Sequence, residues 1–269
     1  MSEPAVLVER DGHVATVTLN RPDKRNAFNA EVLCRLCDAW DMIDGDDDVR
    51  VAILTGADGN FSAGADLDRL VSAMVQGLPP ETEFEQRIRD DFTLIFKGFL
   101  KTHTLSKPLV AAVEGYCYAG GMEILQNCDL RVAGENASLA LTEVCRSLFP
   151  MAGSTVRLRR QISYVDAMEI LLVGKPFSGR DAERLRVVNY AVADGTAMAR
   201  ARELADAIAA NGPLAVKAIK QAVVETEFMA EADAFEREMA IGLPVFNSED
   251  AKEGPRAFLE KRPAKFVGR

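Results

Sequence analysis

The feature that most constrains this chain is a unit that occurs twice: an apolar run of strand length, a glycine-bearing turn, then apolar residues at helical spacing. In residues 107–129, KPLVAAVEGYCYAGGMEILQNCD, Pro108 opens the run 109–113, Glu114 and Gly115 end it, and Ala119-Gly120-Gly121 leads into Met122-Glu123-Ile124-Leu125. Earlier, the run 49–55 passes through Gly56 to Gly64-Ala65-Asp66 and on to Leu67, Leu70 and Val71. Runs without polar alternation mark strands buried on both faces, as in a parallel sheet with helices on each side. If both strands run parallel in one sheet, both turns lie at its carboxyl-end rim, where ligands of α/β folds collect.

A helix start leaves backbone N–H groups without partners, and glycine lets a ligand approach them. From Gly115 the first six positions of a phosphate loop fit, but Gly121 and Met122 stand where the lysine and Ser/Thr would be, which removes a nucleotide triphosphate. What is left is a bare donor at Gly120 with a carboxylate, Glu123, three residues on. That combination suits a developing enolate oxygen beside a proton-transfer group. A second donor at Ala65 would converge on the same oxygen, and Glu143, at the end of a short strand at 138–141, supplies another carboxylate at the rim. The same residues also fit a plainer reading, with Gly-Gly as helix punctuation, Glu123 complementing a helix dipole and Glu143 in solvent.

With 269 residues, 48% of them hydrophobic, the chain can bury a full core. No run of 18 apolar residues occurs, and the start, MSEPAVLVERDG, has neither a basic nor an apolar leader segment, so a soluble, cytoplasmic protein without membrane partners is expected. Five cysteines do not form a disulfide framework; Cys34 and Cys37 fit core positions of a helix at 31–43, and no metal site is expected. A net charge of −9 argues against a nucleic-acid partner. Within it, six basic residues against two acidic ones make 252–269 a +4 tail, leaving −13 on the remainder. Such a tail fits a small polyanion, a partner subunit or a solvated helix face.

The rest reads as a hairpin at 6–20, a basic turn at 21–27, a loop at 76–85 with Pro79-Pro80, a helix from there to about 102, and a helix from the Gly153-Ser154 start through 172. From 196 the chain is helical, with breaks expected at Asn211-Gly212-Pro213 and Gly242-Leu243-Pro244. Residues 1–195 are expected to form the core with the site, and 196–269 a helical region for oligomerisation and active-site cover.

Six blocks in order resemble the crotonase, or enoyl-CoA hydratase/isomerase, superfamily: Leu19-Asn20-Arg21-Pro22 with Lys24-Arg25-Asn26-Ala27, Phe61-Ser62-Ala63-Gly64-Ala65-Asp66-Leu67, Lys107-Pro108, Gly115-Tyr116 with Ala119-Gly120-Gly121, Cys128-Asp129, and Phe258-Leu259-Glu260-Lys261-Arg262. The resemblance implies an α/β fold, a spiral of ββα units with a C-terminal helical trimerisation region, in homotrimers or dimers of trimers. It implies an acyl-CoA thioester substrate, with coenzyme A part of the substrate and no separate cofactor. The thioester oxygen would lie on the N–H groups of Ala65 and Gly120. Glu123 would activate water for the β-carbon and Glu143 would pass a proton to the α-carbon, which makes the expected activity that of an enoyl-CoA hydratase, a lyase of fatty acid metabolism. CoA would lie against Lys24 and Arg25, its adenine near Ala63, Asp66 and Leu67, and its phosphates would meet the basic tail, of this or a neighbouring subunit, through Lys265 or its neighbours.

Where hydratases of the family carry Ile-Pro-Gly-Ala-Gly-Gly, this chain reads Phe149-Pro150-Met151-Ala152-Gly153-Ser154, Thr142 replaces a proline, and Arg146 and Ser147 replace small or apolar residues. Met151 is expected to crowd the acyl pocket. The competing readings are isomerisation, decarboxylation or C–C cleavage through the same enolate, and a non-catalytic CoA- or RNA-binding homologue. A hydrolase built on Cys117 or Cys145 needs a histidine base, and only His13 and His103 exist.

Overall fold

A computed structural model describes residues 3–269. Among the described residues, nine strands form two sheets. β1 (Val6–Asp11), β2 (Val14–Leu19), β3 (Val51–Gly56), β4 (Leu109–Val113), β6 (Leu130–Gly134) and β9 (Tyr190–Val192) lie in that order in the larger sheet, while β5 (Tyr116–Tyr118), β7 (Ser138–Ala140) and β8 (Phe177–Ser178) form the smaller. β1 and β2 are the antiparallel hairpin expected around Asp11-Gly12; β2 through β9 of the large sheet then pair in parallel. β4, β5 and the helix Gly120–Leu125 make one ββα turn of the spiral, and β6, β7 and the helix Ser154–Gln161 make the next. This is the expected α/β class.

The apolar runs are explained by a core on each face of the sheet. Along β3 and β4, Ala52, Leu54, Leu109, Ala111 and Val113 enter one core with Trp40 and Leu36 of the helix Ala30–Gly45. Their neighbours Val51, Ile53, Val110 and Ala112 enter the other, beneath Ala197, Ala201 and Ala205 of the helix Ala197–Ala209. Side chains alternate by period two, so a strand covered on both faces has no polar position.

Three helix boundaries differ from expectation. The segment read as one helix to 102 is two, Glu83–Asp90 and Thr93–Gly98. The helix expected through 172 is also two, Ser154–Gln161 and Tyr164–Val173, because Ser163 accepts a hydrogen bond from the Asp166 N–H and starts a new helix. The break expected at Gly242-Leu243-Pro244 does not occur: Glu231–Phe246 runs through Pro244, and the chain turns only at Asn247-Ser248, where Ser248 caps Glu249–Leu259. Pro244 falls in the last turn, where losing one helical N–H disturbs little.

Pro213–Thr226 and Glu231–Phe246 pack on each other and leave apolar side chains in solvent. Phe235, Met239, Leu243 and Phe246 recur at helical spacing and are each more than half exposed.

Candidate active site

β3 and β4 pair in parallel, so the turns that follow them meet at one rim. An ideal Cβ on Gly64 would stand 2.7 Å from the Ala119 Cβ, 2.8 Å from the Tyr118 carbonyl oxygen and 3.4 Å from the Gly120 nitrogen. With φ at +95°, Gly64 also holds a conformation that side chains resist. The approach of the two turns therefore depends on glycine at 64. Ala65 and Gly120 line one cavity of about 350 Å³, and neither amide has a backbone acceptor among the described residues.

Each turn is held differently. Behind Gly64-Ala65, Ser62 accepts from the Gly64 N–H (3.1 Å) and donates to the Asn26 carbonyl (2.8 Å). Asn26, fully buried, donates to the Ala57 and Asn60 carbonyls and accepts from the Arg21 N–H. Arg21 pairs with Asp66 at 3.1 Å, and Asp66 caps the next helix by accepting from the Arg69 N–H. The Asp66 carboxyl is partly buried, which alone would raise its pKa, but these hydrogen bonds and the guanidinium hold it below its ordinary value.

On the other side, Ala119 donates to the Ala140 carbonyl, tying the turn to β7. Its φ of 48° and ψ of −115° are strained for a residue with a Cβ. The Phe28 and Phe99 rings, 4.8 Å apart, lie against Gly120, where an added Cβ would come within 3.4 Å of both.

Glu123 and Glu143 line the same cavity. Glu123 is 5% exposed, and its carboxylate accepts from the Ser154 N–H at 3.3 Å. Burial, reinforced by the charge of Glu143, pushes its pKa up to about 7 against the pull of the amides at 152–154. Glu143 follows β7 on a single helical turn, Glu143–Arg146; burial raises its pKa too, with Arg146 opposing, and its Oε2 has no partner among the described residues. Two carboxyls thus face one apolar space with raised pKa values, the condition for proton transfer near neutrality.

The chain belongs to the enoyl-CoA hydratase/isomerase family. That family's model matches residues 9–269. The enoyl-CoA hydratase EchA19 of Mycobacterium tuberculosis is 48% identical, covering 100% of this chain and 98% of the relative. The short-chain-enoyl-CoA hydratase of Clostridium acetobutylicum is 34% identical over 96% of this chain and 95% of its own length. The crystal structure of enoyl-CoA hydratase EchA1 from Mycobacterium marinum superposes with a TM-score of 0.88 at 40% identity, covering 99% of this chain and all of that one.

For the other family-implied residues the placement is mixed. Ala63 and Leu67 line the cavity, whereas the Asp66 carboxylate is engaged by Arg21 and Arg69. Lys24 and Arg25 are exposed on the turn whose Arg25 carbonyl accepts from the Ala63 N–H (2.8 Å), so the basic turn borders the cavity at Ala63. Lys265 is absent from the lining: its N–H donates to Glu253, in a tail where Arg256 and Arg262 also pair with Glu253. One carboxylate, Glu253, thus engages two of the tail's guanidinium groups, and the tail keeps its net positive charge.

Met151, expected to crowd the acyl pocket, is among the residues that line the cavity and is 57% exposed. Neither cysteine has a histidine base: Cys117 is fully buried, which pushes its thiol well above the ordinary pKa, while His13 contacts Asp48 and His103 contacts Asp44. Among the described residues no cluster of His, Cys, Asp or Glu is placed to hold a metal, and no helix is long and apolar enough to cross a membrane.

The resemblance places CoA against Lys24 and Arg25; the same turn also has a structural role that no local sequence signal announces, because the buried Asn26 and Ser62 partner each other and the turn they support.

Proposed function

We propose that this chain is an enoyl-CoA hydratase, adding water reversibly to a trans-2-enoyl-CoA to give the 3-hydroxyacyl-CoA. The observation that carries the reading is two carboxyls with raised pKa values lining one apolar cavity with two unpaired amides. The Ala65 and Gly120 N–H groups would receive the thioester oxygen, whose negative charge grows as the enolate forms. Donors already in place stabilise that charge more than the neutral ground state. Glu123, ionised, would take a proton from water as its oxygen bonds to C3. Glu143, protonated, would give its proton to C2, and a proton returned from Glu123 through water would reset the pair. The identity to hydratases, including EchA19, supports this assignment over the other enolate reactions of the family.

The CoA would cross the rim at Ala63 and Leu67, its phosphates near Lys24 and Arg25. Lys265 lies outside the cavity of its own chain, so it fits this role only from a neighbouring subunit. The exposed apolar stripe on Glu231–Phe246 suits burial between copies, which supports a homotrimer or dimer of trimers and an assembly role for the helices from Pro213 on, while Ala197–Ala209, expected in the assembly region, packs on the sheet. The composition and charge support a cytoplasmic enzyme with no nucleic-acid or membrane partner and no cofactor beyond the CoA of its substrate.

Loss of the conjugated enoyl thioester absorbance, with product identified by mass and chromatography, separates hydration from isomerisation and C–C cleavage. Glu143→Gln is expected to lower kcat by about 10²-fold or more, as loss of a positioned acid does. Unchanged turnover in that variant contradicts the assignment.

A further inference from the structure

The candidate acyl cavity, about 350 Å³, is many times the ~30 Å³ that one water occupies in the liquid, and most of its lining is apolar. Its lining includes the apolar side chains of Leu70, Val71, Ile95, Phe96 and Phe99.

Adjoining it at Leu70 is a second, open cleft of about 260 Å³, lined by Ala73, Leu78, Pro79, Pro80, Ile88 and Phe92 together with the charged Arg69, Glu85 and Arg89. Leu70 is the residue common to both linings, and it is 7% exposed. The wall it belongs to is fixed. Leu70 and Val71 both donate to the Asp66 carbonyl, at 3.0 and 3.1 Å, a widened helical turn that lets consecutive residues line the cavity. Arg69, next in the chain, is tied to Glu81 (2.9 Å) and Glu85 (2.6 Å), which holds the segment against Glu83–Asp90.

We propose that Leu70 is the end-stop of the acyl cavity and that the substrate class is an unbranched, apolar enoyl group of medium length. This rests on the hydratase reading for its chemistry, but the wall itself is tested by binding alone. The isobutyl group of Leu70 separates the two spaces, so the acyl tail fills the first and stops. Removing it joins them.

The test measures Kd for butyryl-, octanoyl- and dodecanoyl-CoA, which are saturated and do not react, alongside kcat/KM for crotonyl-, trans-2-octenoyl- and trans-2-dodecenoyl-CoA. Each buried methylene contributes about fourfold, so octanoyl is expected to bind on the order of a hundredfold tighter than butyryl, with no further gain for dodecanoyl. In Leu70→Ala the dodecanoyl-to-octanoyl affinity ratio is expected to rise about tenfold or more, as further methylenes enter the second cavity. Leu70→Phe, which keeps the wall filled, shifts the preference toward butyryl, and Ala73→Phe added to Leu70→Ala removes the long-chain gain. Equal affinity for butyryl and octanoyl in the wild type, or a chain-length profile unmoved by both Leu70 variants, overturns the proposal. Chain-length-dependent binding without turnover of any enoyl-CoA leaves the wall in place and overturns the hydratase reading instead.

Discussion

The turn at Gly64-Ala65 is held by polar side chains, whereas the turn at Ala119-Gly120 is held by backbone pairing and aromatic packing. The first rests on Ser62, Asn26 and the Arg21–Asp66 pair and leads into a widened helical turn. The second is tied to β7 through Ala140, pressed by Phe28 and Phe99, and leads into a helix in which all six residues from Gly120 to Leu125 are buried. A packed turn keeps its donor and Glu123 in fixed relation to the core. The hydrogen-bonded turn leads into the segment that contributes Leu70 and Val71 to the cavity lining, held by Arg69 to Glu81 and Glu85. The two turns thus differ in what holds them, polar side chains on one side and packing on the other.

The largest effect is expected where the two turns touch. Gly64→Ala puts a methyl 2.7 Å from the Ala119 Cβ in a φ region hostile to alanine, so the donors separate. Losing one such donor lowers kcat by ~10²–10³-fold, and steady-state kinetics on the folded variant check this. Wild-type-like kcat would mean that the two amides do not act together.

Next comes the polar support. Arg21→Met leaves Asp66, whose side chain is only 12% exposed, without its guanidinium, and breaking a largely buried pair destabilises by about 3–5 kcal/mol at full burial and less here. Denaturant unfolding is expected to show a loss of at least about 1 kcal/mol, with kcat down roughly tenfold as the donor at Ala65 wanders. A fall in stability with unchanged kcat would show that the second turn alone positions the oxygen.

The smallest effect concerns the packed side and its pH dependence. The folded-state pKa of Glu123, about 7, lies above the ordinary 4.5, so folding favours the protonated form. Its contribution to stability is present below the ordinary value and is lost as pH rises through about 7. Glu123→Gln is therefore expected to be more stable than the wild type by about 1–3 kcal/mol near pH ~8, with the gap closing toward pH ~4.5. In the wild type, kcat/KM is expected to fall as pH drops below about 7, since hydration needs Glu123 ionised. A stability difference that does not change with pH would place Glu123 in contact with solvent.

The sheet was legible because a strand covered on both faces leaves an unbroken apolar run, and Leu109–Val113 is one. The convergence of the two turns followed from their being parallel neighbours. What the chain did not disclose is what long-range contact decides. Asn26 and Ser62 are 36 residues apart yet act on one turn, and nothing local to either announces the other. Pro244 looked like a stop, but a proline in a last turn loses only one hydrogen bond. Met151 is among the lining residues, and its 57% exposure is set by the fold around it, which its own place in the chain does not reveal. Ser163 looked like an ordinary mid-helix residue until its cap to Asp166 divided the helix.

The central claim is that one thioester oxygen is gripped by the amides of Ala65 and Gly120. The most direct measurement is the vibrational frequency of an isotope-labelled thioester carbonyl in enoyl-CoA bound to the wild type, to Glu143→Gln and to Gly64→Ala. A carbonyl polarised by two preorganised donors is predicted to shift to markedly lower frequency in the wild type and in Glu143→Gln, and to return toward its solution value in Gly64→Ala. A solution-like frequency in the wild type, or a shift undiminished in Gly64→Ala, contradicts the account.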